Sequence, residues 1–199
     1  MAGKLVVPGE LIAEGSKGGA NAYSEDGKIR SEVIGIVDEQ KGRVIPLNGQ
    51  YIPTEGDWVI GVVQDVKYAG CGVEIKSAYR AFILNKMTRI EFRMGDVVGA
   101  KIEKVDEAKN IDLAEPRRLV GGEILEISAV KVPRVIGRAN SMINLLMQGT
   151  GSEILVGRNG RIWIKGGKSA LAVRAILTIE REAHTHGLTD RITELLKTG

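Results

Sequence analysis

The stretch from Val132 to Lys165 fixes an order of elements and constrains the fold more than any other part of the chain. Val132-Pro133-Arg134-Val135-Ile136 runs into a basic loop opened by glycine, Gly137-Arg138-Ala139-Asn140, and a helical pattern starts at Ser141 and continues to Gln148. Glu153–Val156 and Arg161–Lys165 then read as two strands on either side of Asn159-Gly160, a dipeptide that tolerates the positive backbone angles of a tight turn. Upstream, 123–130 reads as a strand and about 134–136 as a short helix. Downstream, a long helix runs from 169 to about 186 and a short one over 190–197. Leu171, Ala175 and Leu177, and Ala172, Ile176 and Ile179, recur at helical spacing, so the long helix buries one face against the sheet. The order is βααββα with a helical appendix.

Charge gathers in the same region. From Lys131 to Arg174 there are eight basic residues and one acid, Glu153, a local balance of +7 in a chain whose total is +3. By segment the net charge is −2 over 1–55, +1 over 56–119 and +4 over 120–199. A concentrated basic excess of this kind is the footprint of a polyanion partner. The 199 residues are 43% apolar and 27% charged, ordinary for a globular protein. No apolar run approaches the roughly 20 residues of a membrane span, and Pro8 interrupts the N-terminus too early for a secretory signal. The lone cysteine, Cys71, has no second thiol for a disulfide or a Cys-x-x-Cys metal site, so the expected setting is the cytoplasm and no metal or cofactor is expected.

The rest of the chain is β-rich. Over 1–55, strands at 10–13, 31–37 and 44–46 are punctuated by Asp26-Gly27, Lys41-Gly42 and Asn48-Gly49, which predicts a small all-β domain. Over 56–115, strands at 58–66, 73–75, 80–84, 97–105 and 110–114, with a tight bend at Gly70-Cys71-Gly72, predict a five-stranded closed barrel. Val98, Ala100 and Ile102 alternate with Lys101 and Glu103, one face for the core and one for water. Glu115-Pro116-Arg117-Arg118 reads as a linker to a third domain over 120–199. The fold class is multidomain, β plus α/β.

These residues carry three resemblances. Gly56-Asp57-x-Val59-x-Gly61-x-Val63, Tyr68, and Gly95-Asp96-x-Val98 through Ile102 to Asp106 resemble the S-one type of OB-fold RNA-binding domain. The unit over 121–186 resembles a type-one K-homology (KH) domain. The leader Val6-Val7-Pro8-Gly9-Glu10, with Pro46-Leu47 and Tyr51-Ile52-Pro53, is similar to the N-terminal domain of the KH-bearing cap subunits of archaeal exosomes. The resemblance implies a non-catalytic component of the 3′-to-5′ RNA-degrading exosome. Such subunits sit as a trimer on a hexameric ring of phosphorolytic subunits, bind single-stranded RNA on its way to the pore and raise degradation efficiency, with a poly(A) bias implied by the family. The β domain over 1–55 would dock on the ring.

The resemblance also nominates residues. Tyr68 and Phe82 fall where the S-one family places stacking aromatics, with Lys67, Lys76, Arg80 and Lys101 placed to reach the backbone; the plain alternative for both rings is barrel packing. In the KH unit the candidates are Arg134, Gly137, Arg138, Asn140, Arg158 and Arg161. Two departures stand out. Asn140 replaces the second glycine of the family's Gly-x-x-Gly loop; asparagine tolerates a left-handed backbone, but its side chain fills space that glycine leaves open. Cys71 stands where the cap subunits often carry a bulky aromatic.

Other chemistry lacks carriers. Gly166-Gly167-Lys168-Ser169 has Ile162 where a phosphate-binding loop needs glycine. His184 and His186 are two apart and do not share a helical face. Trp163 reads as core or subunit interface. No nucleophile–base pair or paired carboxylate stands out. Two other readings remain: a fragment of a polynucleotide phosphorylase, which combines the same modules in the opposite order after nuclease domains, and a free-standing single-stranded RNA-binding protein of translation or ribosome maturation.

Overall fold

The computed structural model describes residues 4–15, 19, 21–38, 43–46, 49–85, 88, 90–183, 185 and 187–198. The turns read at Lys41-Gly42 and Asn48-Gly49, and both histidines, fall wholly or partly outside these residues. The chain forms two compact units, one up to Gly49 and one from Gln50.

Among the described residues the first unit holds six strands, β1 (Leu5–Val6), β2 (Leu11–Glu14), β3 (Ala22–Glu25), β4 (Lys28–Ser31), β5 (Gly35–Asp38) and β6 (Arg43–Pro46). They form two three-stranded sheets, β1-β5-β6 and β2-β4-β3, and Val6, Val37 and Val44 make a small buried core. The run over 31–37, read as one strand, is two. Ser31 is buried and its Oγ both donates to the Val33 carbonyl (2.5 Å) and accepts from the Val33 N–H (3.3 Å), a local turn that competes with the ladder.

The second unit opens with a closed barrel of β7 (Trp58–Lys67), β8 (Gly70–Glu74), β9 (Arg80–Leu84), β10 (Val97–Val105) and β11 (Asn110–Arg118). β11 pairs antiparallel with β10 and parallel with β9, and β10 returns to β7 to close the ring. The alternation expected of β10 holds: Val98, Ala100 and Ile102 are buried inside and Lys101 and Glu103 are exposed.

Two expectations need correction here. Gly70-Cys71-Gly72 is part of β8, not a bend; the chain turns at Tyr68-Ala69. A Cβ on Gly72 would lie 1.9 Å from Asp65 Oδ1, so glycine serves close cross-strand approach. Cys71 points into the core, 2% exposed, which pushes its thiol pKa up and keeps it off the outer face. Glu115-Pro116-Arg117-Arg118 is no linker but the end of β11. Lys101 pairs with Ala114 and Gly99 with Arg117, so Glu115 and Pro116 sit opposite Ala100 alone. That bulge, with Glu115 at φ 49°, admits a proline without an unmade ladder bond.

The remainder has β12 (Glu123–Glu126), α1 (Val132–Ile136), α2 (Ser141–Thr150), β13 (Glu153–Val156), β14 (Arg161–Lys165), α3 (Ser169–Glu182) and α4 (Leu188–Thr198). The sheet order is β12-β14-β13, with β13 on an edge. β12 stops short of the expected 130 because a 3-10 turn takes over at Ala129–Lys131. Leu171, Ala172, Ala175, Ile176 and Ile179 of α3 are buried against Ile154, Ile162 and Ile164, together with Leu188, Ile192 and Leu196 of α4, whereas Leu177, expected among them, is exposed because it falls on the opposite side of the helix from Ala175 and Ile179.

A polar joint locks this domain to the barrel. Asn159, fully buried, donates from Nδ2 to the carbonyls of Ile60 (2.7 Å) and Ile75 (2.9 Å) and accepts at Oδ1 from the Ile60 N–H (3.3 Å). The Arg158 N–H donates to the Trp58 carbonyl at 2.8 Å. Arg161, 8% exposed, bonds Glu126 Oε1 through Nε (2.9 Å), the Glu74 carbonyl through Nη1 (2.8 Å) and the Glu74 carboxylate through Nη2. Lys76 completes the cluster, 3.2 Å from Glu126 Oε2 and donating to the Ile127 carbonyl at 3.3 Å.

Candidate nucleic-acid interface

Eleven of the twelve nominated residues fall into four places, only three of them surfaces, and Arg158 stands apart. The joint takes two. Arg161 is spent on Glu74 and Glu126, and Lys76 on Glu126 and Ile127, so both act in holding the domains together. The guanidinium of Arg161, and then Lys76, hold the Glu126 carboxyl below its ordinary value. For Arg161 the physical source is that a count of basic residues treats every cation as free, and Glu74 and Glu126 lie outside the counted window; Lys76 was nominated by resemblance, which does not register the carboxylate across the joint.

The outer face of the barrel takes Lys67, Tyr68, Arg80 and Phe82. Tyr68 stands at the tip of the β7–β8 hairpin with its ring wholly in solvent. Phe82 is half-buried on β9, opposite Gly72 on one side and Asp112 on the other, in a groove of about 480 Å³ that Asp65, Lys67 and Arg80 also line. The charge there is nearly balanced. Lys67 Nζ lies 2.8 Å from Asp65 Oδ2, and that bond holds the Asp65 carboxyl below the usual range. Tyr68 and Phe82 therefore present aromatic surface with modest net attraction for phosphate.

The basic loop takes Arg134, Gly137 and Arg138. Both arginines are exposed, line a recess of about 430 Å³ with Ser141, Leu188 and Thr189, and have no acidic side chain among those lining it. Ala139 and Asn140 both adopt left-handed backbone, φ 47° and 63°. Asparagine at 140 thus takes the conformation foreseen for it, while alanine at 139 is an outlier that costs of order 1–3 kcal/mol.

Lys101 and Asn140 meet in a third place that the sequence did not bring together, a groove between barrel and KH-like unit. Trp58 and Arg117 line it with them, and neither was nominated. Trp58 had a legible signal, an outward-facing position at the start of a strand; Arg117 did not, because it was read as linker. Arg158 is half-exposed on the β13–β14 turn, 3.9 Å from Asp57. Asp57 in turn accepts from the Tyr51 hydroxyl at 2.8 Å, and burial with this carboxylate pushes the phenol pKa well above its usual range. Trp163 is buried and donates from Nε1 to the Gly121 carbonyl (2.6 Å), a core residue. Among the described residues there is no cluster of three or more metal-ligating side chains, and no helix is long and apolar enough to cross a membrane.

The order of β domain, barrel and βααββα unit, joined in this way, has known counterparts. Residues 122–170 match a KH domain family, and 3–48 match the family described as the exosome RNA binding protein RRP4 N-terminal domain. The exosome complex component Rrp4 of Pyrococcus furiosus is 43% identical over 97% of this chain and 82% of its own length. The chain belongs to the Rrp4 family. The Rrp4 of Methanothermus fervidus is 44% identical over 96% of this chain and 94% of its own. A crystal structure described as an exosome complex RNA-binding protein superposes with a TM-score of 0.69 at 36% identity, covering 75% of this chain and 97% of that one. Membership in the Rrp4 family agrees with the fold class and the resemblance read from the sequence.

Proposed function

We propose that this chain is a non-catalytic, RNA-binding component of a cytoplasmic exosome, seated as a trimer on a hexameric ring of phosphorolytic subunits. There it captures single-stranded RNA and raises the efficiency of 3′-to-5′ degradation, with a preference for poly(A). The observation that carries the reading is the near full-length likeness to Rrp4 proteins, curated as exosome complex components. The surfaces support it. Exposed Tyr68 at the hairpin tip and half-buried Phe82 on β9 each offer stacking worth roughly 1–3 kcal/mol per base, and Arg134 and Arg138 offer charge to a phosphate backbone. The acidic balance of residues 1–55 suits docking on protein better than on RNA.

Affinity-tagged chain expressed in its native cells tests the proposal. Stable co-purification with a six-membered nuclease ring, with masses for three copies per ring, is the expected result. The purified chain alone leaves labelled oligoadenylate intact when phosphate is present. Recovery with ribosomal particles, or phosphorolysis by the isolated chain, overturns the reading.

A further inference from the structure

The groove between the barrel and the KH-like unit has two unlike walls. On one side are apolar side chains of α1, α2 and β13: Ile136, Ile143 and Leu155. On the other are Trp58, Lys101 and Arg117 of the barrel. The cavity is about 470 Å³, within the roughly 300–1,000 Å³ of sites that hold small ligands. Among the described residues neither Lys101 nor Arg117 forms an ion pair, and Glu115 is the single acid on the lining, so the groove carries a net positive charge.

The geometry is held rather than accidental. Trp58 pairs with Lys101 across β7 and β10, and Arg117 pairs with Gly99 on the other side of β10. The indole packs against Gly99, where a Cβ would come within 2.4 Å of the ring. The Trp58 carbonyl is held by the Arg158 N–H, and the adjacent Asn159 of the same β13–β14 turn bonds Ile60. The barrel wall is thus fixed to the edge strand β13 through the joint. Apolar surface on one wall, with an indole and two cations on the other, matches a nucleotide: a flat base to cover and a phosphate to neutralise. An apolar peptide would leave both cations unmatched.

We infer that this groove holds one nucleotide of a bound single strand, its base between Trp58 and the Ile143–Leu155 wall and its phosphates on Lys101 and Arg117. The inference rests on the RNA-binding reading and goes beyond it, because it makes the barrel, not the Gly137 loop, the source of phosphate contacts for a base in the KH-like domain. Such a strand would cross from one domain to the other, and the rigid joint would set its path.

Full-length chain is titrated with fluorescent oligoadenylate at several salt concentrations. The Lys101→Ala/Arg117→Ala variant, altered only at exposed side chains, is expected to bind about ten-fold more weakly, with a log–log salt slope shallower by about 1.4, two phosphates at roughly 0.7 each for a single strand. Intrinsic emission gives a second readout, since the chain has two tryptophans and Trp163 is buried. Oligoadenylate quenches the wild type, and Trp58→Phe abolishes the quench. If the wild type binds but the double variant matches it in affinity and slope, or the quench survives Trp58→Phe, the inference is overturned while the RNA-binding reading stands. A salt-sensitive site protected by ring subunits and not by RNA overturns it equally. If the wild type binds no oligonucleotide, the broader reading fails first.

Discussion

Two loops of this protein are written with nearly the same residues and have opposite fates. Gly137-Arg138-Ala139-Asn140 and Gly157-Arg158-Asn159-Gly160 each combine glycine, arginine and asparagine in a basic neighbourhood. The first is exposed, with both nearby arginines in solvent, and its asparagine precedes α2 without a side-chain capping bond. In the second, Asn159 is fully buried and makes three hydrogen bonds to barrel backbone. The difference shows that residue type sets only what a side chain can do. Whether it binds a partner or its own protein depends on what the fold brings within about 3 Å.

The comparison breaks or sharpens most at Asn159. Asn159→Ala leaves up to three buried backbone groups without partners, each worth about 1–3 kcal/mol. A loss of about 3 kcal/mol or more in urea unfolding is expected, while Asn140→Ala stays within about 1 kcal/mol. Equal losses would erase the distinction between the loops.

Arg161 comes next. Removing it strands the Glu74 carbonyl, takes the ion-pair partner from the Glu74 carboxylate and leaves Glu126 with Lys76 alone in a partly buried joint, for a loss of about 2 kcal/mol. It also has a pH signature. The Glu126 carboxyl is held below its ordinary 4.5, chiefly by the Arg161 guanidinium, so its stabilisation is present above that value and lost as pH falls through the lower folded value. Thermal midpoints of Arg161→Ala should therefore fall less steeply below pH 4.5 than those of the wild type. Parallel acid limbs would show that the pair contributes nothing to the joint.

The smallest expected effect is at Asn140. Its backbone already sits at φ 63°, so Asn140→Gly changes stability by under about 1 kcal/mol but opens the space beside the loop. Affinity for single-stranded RNA should rise a few-fold in a salt-controlled titration. No change would mean that the loop does not touch RNA.

Much of this molecule was legible in the sequence. β9, β10, β13 and β14 fall where the sequence pattern and turn residues put them: β9 and β10 alternate between a buried and a wetter face, and the Asn159-Gly160 turn bounds β13 and the wholly buried run of β14. Less legible were features that answer to a distant segment. Gly72 was read as a bend because glycine is common in bends, whereas it serves an approach to Asp65. Pro116 was read as linker because proline lacks an N–H, and a bulge opposite Ala100 makes that lack harmless. Among the candidate site residues, Tyr68, Phe82, Arg134 and Arg138 are found on surfaces, Arg161 and Lys76 in the joint, and Trp58 and Arg117 in a groove that no local pattern announces.

The sequence by itself determined the order of modules, the class of each and the family, since these follow from short-range periodicity, turn chemistry and a nearly unbroken likeness to relatives. Only the tertiary structure decided which cations remain available. An arginine or lysine is committed when a carboxylate or carbonyl from another part of the chain reaches it, and those meetings, Arg161 with Glu74 across the joint or Lys101 beside Arg117 at the groove, are set by packing between domains and not by neighbours along the chain.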